Sequence, residues 1–180
     1  MAGMKFLLST YSTAFLASGG GESELVQIAE TLTESGVQAD IYGIQSRPLD
    51  FYDAVMHFSV QSEGKAFFDA VRGRQTPILL WPNVWWNTPP SAAEVGRIQP
   101  FIDQAHKVLF KSHTECEQFA QFVAVPHDKR LVVPICVSSR FTSVPDLALA
   151  KTICEMEDFV LCLGRVEPVK NQLTLIRAMR

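Results

Sequence analysis

Arg165 and Lys170 stand five residues apart across a turn containing Pro168, where the sequence pattern changes from an apolar run at 159–163, closed by Gly164, to a helical stripe of Leu173, Leu175, Ile176 and Met179. A helix entrance carries unpaired N–H groups and the positive end of the backbone dipole, so cations gathered there call for an anion between them. Charged hydrogen bonds are worth about 1.5–3 kcal/mol each, and two of them with helix N–H groups would hold a diphosphate. Two solvated surface cations would have the same spacing, so the pattern alone leaves both readings open.

A second candidate is Gly19, Gly20 and Gly21, between an apolar strand pattern and a helical one. Glycines there suit phosphate binding or close ligand approach in a doubly wound sheet, and equally a plain turn that needs positive φ. As a dinucleotide fingerprint the stretch is poor. Gly19 and Gly21 have the first spacing, but Glu24 holds the third glycine position, and Asp40 falls at the start or middle of the second strand rather than its end. Trp81-Pro-Asn-Val-Trp-Trp-Asn87 offers flat aromatic faces, Trp85 among them, for a sugar or apolar acceptor, with Asn83 and Asn87 to bond hydroxyls. The same tryptophans could fill a core or a self-association surface. His57 ends the third strand pattern and either lines a cleft or is a satisfied, half-buried histidine.

The elements that must position these residues alternate from the start. Near-continuous apolar runs predict strands over 5–11, 37–42, 54–60, 76–81, 107–111 and 131–134. Helical periodicity marks 25–36, 66–71, the start of 90–104, and 114–123. Such alternation predicts an α/β fold, a Rossmann-like parallel sheet with helices on both faces. Gly19 to Gly21 and the tryptophan segment would then sit at the carboxyl ends of its strands. After Pro134 the rhythm is lost, and a connecting helix is predicted over 146–157. The division is a domain at 1–140, a linker at 141–157 and the start of a second domain at 158–180, cut off after one βα step. One such step cannot bury its own apolar face, so the tail is expected to pack against a second copy in a homodimer.

Composition bounds what remains. Of 180 residues, 47% are hydrophobic and 19% charged, an ordinary globular balance, and 16 basic against 19 acidic side chains give a net charge of −3. No global field attracts nucleic acid or an anionic membrane. The four cysteines, Cys116, Cys136, Cys154 and Cys162, form no CxxC pair and no metal-ligand spacing with histidine, and are expected to be reduced core thiols of a cytoplasmic protein; no metal site is predicted. No run of eighteen apolar residues is present, which argues against a transmembrane span but leaves peripheral membrane contact open.

The stretch Phe159-Val-Leu-Cys-Leu-Gly-Arg-Val-Glu-Pro-Val-Lys-Asn171 resembles the opening of the C-terminal domain of the retaining GT-B glycosyltransferases of family 4, the glycosyl transferases group 1. Leu131-Val-Val-Pro-Ile-Cys-Val137 with Arg140-Phe141 resembles that family's segment before the domain linker, and Gly19-Gly-Gly-Glu22 with 25–36 its first glycine loop and helix. Asp53-Ala-Val-Met-His57 and Val108-Leu-Phe-Lys-Ser112 fit its third and fifth strands less specifically. The resemblance implies the N-terminal half of a GT-B fold with a truncated second domain. It further implies retaining transfer of a sugar from a nucleotide-diphosphate donor to a glycan, lipid or small-molecule acceptor, without a cofactor or an obligatory metal. Arg165 and Lys170 would neutralise the departing diphosphate, and Gly19, Gly20 and Gly21 would approach donor or acceptor from the opposite wall, with His57, Asn83 and Trp85 as further binding candidates. The family's glutamate pair would lie beyond Arg180, so the 180-residue chain is itself expected to be inactive. A non-catalytic binding module built on the same fold is the alternative, and a nucleotide-binding oxidoreductase a more distant one. Where the family often shows histidine after the fourth strand this chain has the tryptophan segment, and His57 is one residue from the commonest placement.

Overall fold

A computed structural model describes residues 3–16, 19–135, 137, 144, 148, 152 and 159–179. The chain forms two compact units, Met1–Phe141 and Thr142–Arg180. In the first, strands and helices alternate as β1 (Lys5–Ser9), α1 (Gly20–Glu34), β2 (Gln38–Ile41), β3 (Ala54–Phe58), α2 (Lys65–Arg72), β4 (Ile78–Trp81), α3 (Ala92–Gln104), β5 (Lys107–Phe110), α4 (His113–Ala120) and β6 (Arg130–Val132). The six strands form one sheet in the order β2-β1-β3-β4-β5-β6, and every pair is parallel. This is the Rossmann-like α/β architecture that the alternating pattern predicts.

Side chains along a strand point alternately to the two faces, and the core divides accordingly. Leu7, Val55, Ile78, Leu80, Val108 and Phe110 pack with Phe68 of α2, Ile98, Phe101 and Ile102 of α3, and Phe119 of α4. On the other face Leu8, Met56, Phe58, Trp81 and Leu109 pack with Leu25 and Ala29 of α1. Burying a side chain of this size contributes about 1.5–3 kcal/mol, which explains how α3 runs to Gln104 although Pro100 lies inside it. Proline in a helix costs about 3 kcal/mol. Ile98, Phe101 and Ile102, all buried around it, offset that cost.

The strand predicted at 159–163 is a correction. These residues form no strand, and Phe159, Val160, Leu161 and Leu163 are exposed. A strand is stable only when its backbone groups pair with a neighbour, and among the described residues no neighbour is available to it. Cys162 is consequently an exposed thiol rather than a core one, whereas Cys116 is buried. The helix predicted at 146–157 falls almost wholly outside the described residues, as do Cys136 and Cys154. The second unit shows a turn at Pro168–Lys170 and a short helix, α5 (Gln172–Ala178).

His57 belongs to the core. It follows Val55 by two residues on β3, so its ring enters the same layer, between Phe67, Phe68 and Phe101, with no accessible surface. Nδ1 lies 2.9 Å from the Ser9 hydroxyl, Nε2 has no partner, and a Cβ on Gly64 would sit only 2.7 Å from Nε2. Burial lowers its pKa from 6.5 to about 3. Between those values the unfolded chain holds a proton that the folded one refuses. The stability contribution is therefore complete above pH 6.5 and is lost as pH falls toward about 3, with a slope of up to about 1.4 kcal/mol per pH unit. Urea unfolding across this range should show that slope in the wild type and a shallower one in His57→Gln; equal slopes would place the proton elsewhere.

Candidate functional site

Because the strands are all parallel, the loops leaving β1, β3, β4 and β5 emerge at one edge, where open α/β sheets bind ligands. Lys111 directly follows β5 there. Its ammonium donates to Glu24 Oε2 at 2.7 Å and Asn83 Oδ1 at 2.8 Å, and stands 4.5 Å from the centre of the Trp85 ring. Three segments, the first helix, the loop after β4 and the end of β5, thus meet at one charge. The pair is largely withdrawn from water, with Lys111 18% and Glu24 12% exposed, and Glu24 Oε1 is buried without a hydrogen-bond partner.

Backbone geometry delivers the remaining groups. Asn83 adopts a left-handed conformation with φ 53°, which asparagine tolerates better than most residues. A Cβ on Gly21 would come within 3.1 Å of the Asn83 amide nitrogen, so glycine permits this approach of α1 to the β4 loop. At the entrance of α1, Glu22 accepts hydrogen bonds from the Gly19 N–H at 2.7 Å and from the Tyr11 hydroxyl at 2.8 Å. That bond raises the pKa of Tyr11, with burial adding to it. A protein carboxylate therefore already stands at this helix N-terminus, where an anion would otherwise be favoured.

Beside this cluster a cavity of about 470 Å³ opens between the loop after β4 and α4. Trp86 fixes one wall: its indole N–H donates to Glu94 at 2.8 Å and its ring stacks on Phe119, 5.3 Å between centroids. Trp85 borders the cavity and is 66% exposed. Glu115 also lines it, held at the start of α4, where its backbone N–H donates to the Ser112 hydroxyl at 3.1 Å and its carboxylate accepts from the Lys111 N–H. Burial raises the pKa of Glu115. A second cavity, about 270 Å³ and almost wholly apolar, lies on the α1 face between Ile28, Leu32, Met56, Leu109 and Leu131.

Gly21, Asn83 and Trp85 are thus brought together around Lys111, and Gly19 and Gly20 lie on the same edge. His57 is not: fully buried, it offers no atom to a donor or acceptor in this conformation, contrary to its candidacy as a binding residue. Arg165 and Lys170 belong to the second unit, flanking its turn with exposed side chains; the Arg165 guanidinium lies 4.0 Å from Glu167 and Asn171 enters α5 at φ 54°. Asp40, the weak candidate for a ribose-binding acid, is occupied by the Tyr52 hydroxyl at 2.8 Å. No local motif marks Lys111, Glu24 or Glu115 as site residues. A lysine closing the apolar run Val108-Leu-Phe was the one available signal. Among the described residues no group of three His, Cys, Asp or Glu side chains could hold a metal, and no helix is long and apolar enough to cross a membrane.

No protein-family model matches the chain, and no curated protein matches it. Solved structures do. The crystal structure of Anabaena Alr3699/HepE in complex with UDP aligns with 98% of this chain at a TM-score of 0.68 and 16% identity. That of Anabaena Alr3699/HepE in complex with UDP and glucose aligns with 98% at 0.64, also with 16% identity. At this identity the likeness is one of fold, and the chain spans 57% of the neighbour's length.

Removing the ammonium leaves a buried carboxylate without its partner, so Lys111→Met should lower unfolding stability by about 1–3 kcal/mol. Adding Glu24→Leu should restore much of that loss, since an apolar pair can replace a poorly solvated ionic one. Denaturant unfolding of both variants measures this; a neutral Lys111→Met would show that the cluster is not held by its charge.

Proposed function

We propose that this chain belongs to a GT-B glycosyltransferase of the retaining family 4 kind, which moves a sugar from a nucleotide-diphosphate donor to an acceptor hydroxyl. The observation that carries this reading is a fold shared, over 98% of the chain, with a protein crystallised with UDP and with UDP and glucose, the two parts into which a nucleotide sugar divides. The signature around Arg165 and Lys170 supports it from the sequence side.

In the transfer the bond from the anomeric carbon to the diphosphate oxygen breaks, a bond to the acceptor oxygen forms, and the proton of the acceptor hydroxyl passes to the departing diphosphate. Negative charge grows on the leaving diphosphate. Preorganised cations and N–H donors stabilise such charge, and Arg165 and Lys170 take that role, which a metal ion fills in other phosphate chemistry. Gly19, Gly20, Gly21, Asn83 and Trp85 serve the acceptor side, and Lys111 ties together the two segments that carry them. The reading requires no cofactor.

Calorimetric titration of the chain with UDP tests the donor side. Binding is expected, with Arg165→Ala and Lys170→Ala each weakening it by about 1.5–3 kcal/mol, the worth of a charged hydrogen bond. Absence of UDP binding, or unchanged affinity in both variants, would remove these residues from the donor site and leave the non-catalytic module as the better reading.

A further inference from the structure

We propose that the cavity between the β4–α3 loop and α4 is a subsite for a neutral saccharide ring, bordered by Trp85 and hydrogen-bonded by Asn87, Thr88, Glu115, Gln118 and Gln121. As the place where the acceptor sits, it rests on the transfer reading; as a binding site it does not.

Three features select this ligand. Size is the first: about 470 Å³ lies within the roughly 300–1,000 Å³ of small-molecule sites and accommodates a sugar ring with its substituents. Lining chemistry is the second. Amides and a hydroxyl can both donate to and accept from ring hydroxyls and a carboxylate accepts from them, while the aromatic side chains Trp85, Trp86 and Phe122 offer the apolar surface that C–H faces of a pyranose require. An acyl chain would leave those polar groups unpaired, at a cost of about 1–3 kcal/mol each. The third is charge. Glu115 is the one ionisable side chain lining the cavity, and it is acidic. The nearest ammonium described around Trp85, that of Lys111, is already engaged by Glu24 and Asn83. A phosphorylated or carboxylated sugar would meet a carboxylate with no cation among the lining residues to offset it.

The site is also built in advance. Trp86 is locked by its bond to Glu94 and its stack on Phe119, and Glu115 is locked by Lys111 and Ser112. A ligand entering it therefore loses little affinity to ordering of the walls.

Saturation-transfer NMR on the chain, without nucleotide, tests the proposal with glucose, galactose, mannose and N-acetylglucosamine as neutral probes and glucuronate and glucose 6-phosphate as anionic ones. At least one neutral sugar should receive saturation, and its affinity should fall by about tenfold or more in Trp85→Ala and measurably in Gln118→Ala, a change on the surface of α4 that leaves the core intact. The anionic sugars should bind more weakly than their neutral parent. No signal from any neutral probe, equal or stronger binding of the anionic ones, or a signal unaffected by both substitutions would each overturn it. A parallel UDP titration separates the two readings: saccharide binding without UDP binding sinks the transferase reading alone, and UDP binding without saccharide binding sinks this subsite alone.

Discussion

The candidate site of the first unit depends on six strands running in the same direction. Parallel pairing requires a crossover after each strand, and crossovers cover both faces with helices. All the loops that leave carboxyl ends are thereby delivered to one edge. Glycines after β1, a left-handed asparagine after β4 and a lysine after β5 have no relation in sequence, yet they meet because their strands end together. Lys111 then turns proximity into a fixed arrangement, since its ammonium is satisfied only when Glu24 and Asn83 are both in place.

The sequence showed the sheet well and its working edge poorly. Ala54-Val-Met-His-Phe58 and Ile78-Leu-Leu-Trp81 are apolar runs too short for helices, and their alternation with helical stripes leaves few other folds. Long-range pairing is different in kind. Glu24 and Lys111 are 87 residues apart, and no local pattern links them; taken locally, Glu24 only spoils a glycine fingerprint. His57 could have been placed by parity, because it shares a strand face with Val55, but which face α2 and α3 would close over is a tertiary fact. Pro100 hid the second half of α3 for the same reason: burial outweighed local preference. The run at 159–163 misled in the opposite direction, because apolar composition describes a strand that wants cover and says nothing of whether a partner is at hand.

Charge distinguishes the two units and the roles proposed for them. The first presents carboxylates near its carboxyl edge, Glu22, Glu24 and Glu115, with Lys111 there already paired. The second presents Arg165 and Lys170 at a helix entrance. In the proposed transfer the second would meet the anionic leaving group and the first a neutral hydroxylated molecule.

If a saccharide binds at the carboxyl edge of the sheet, as proposed, backbone amide chemical-shift mapping with a neutral sugar will locate it there. Perturbations are expected to concentrate at Trp85 to Thr88 and along α4 from Glu115 to Gln121, with smaller ones at Asn83 and Lys111. Perturbations confined to the opposite edge, near Lys5, Asp53 and Lys107 at the amino ends of the strands, would contradict it.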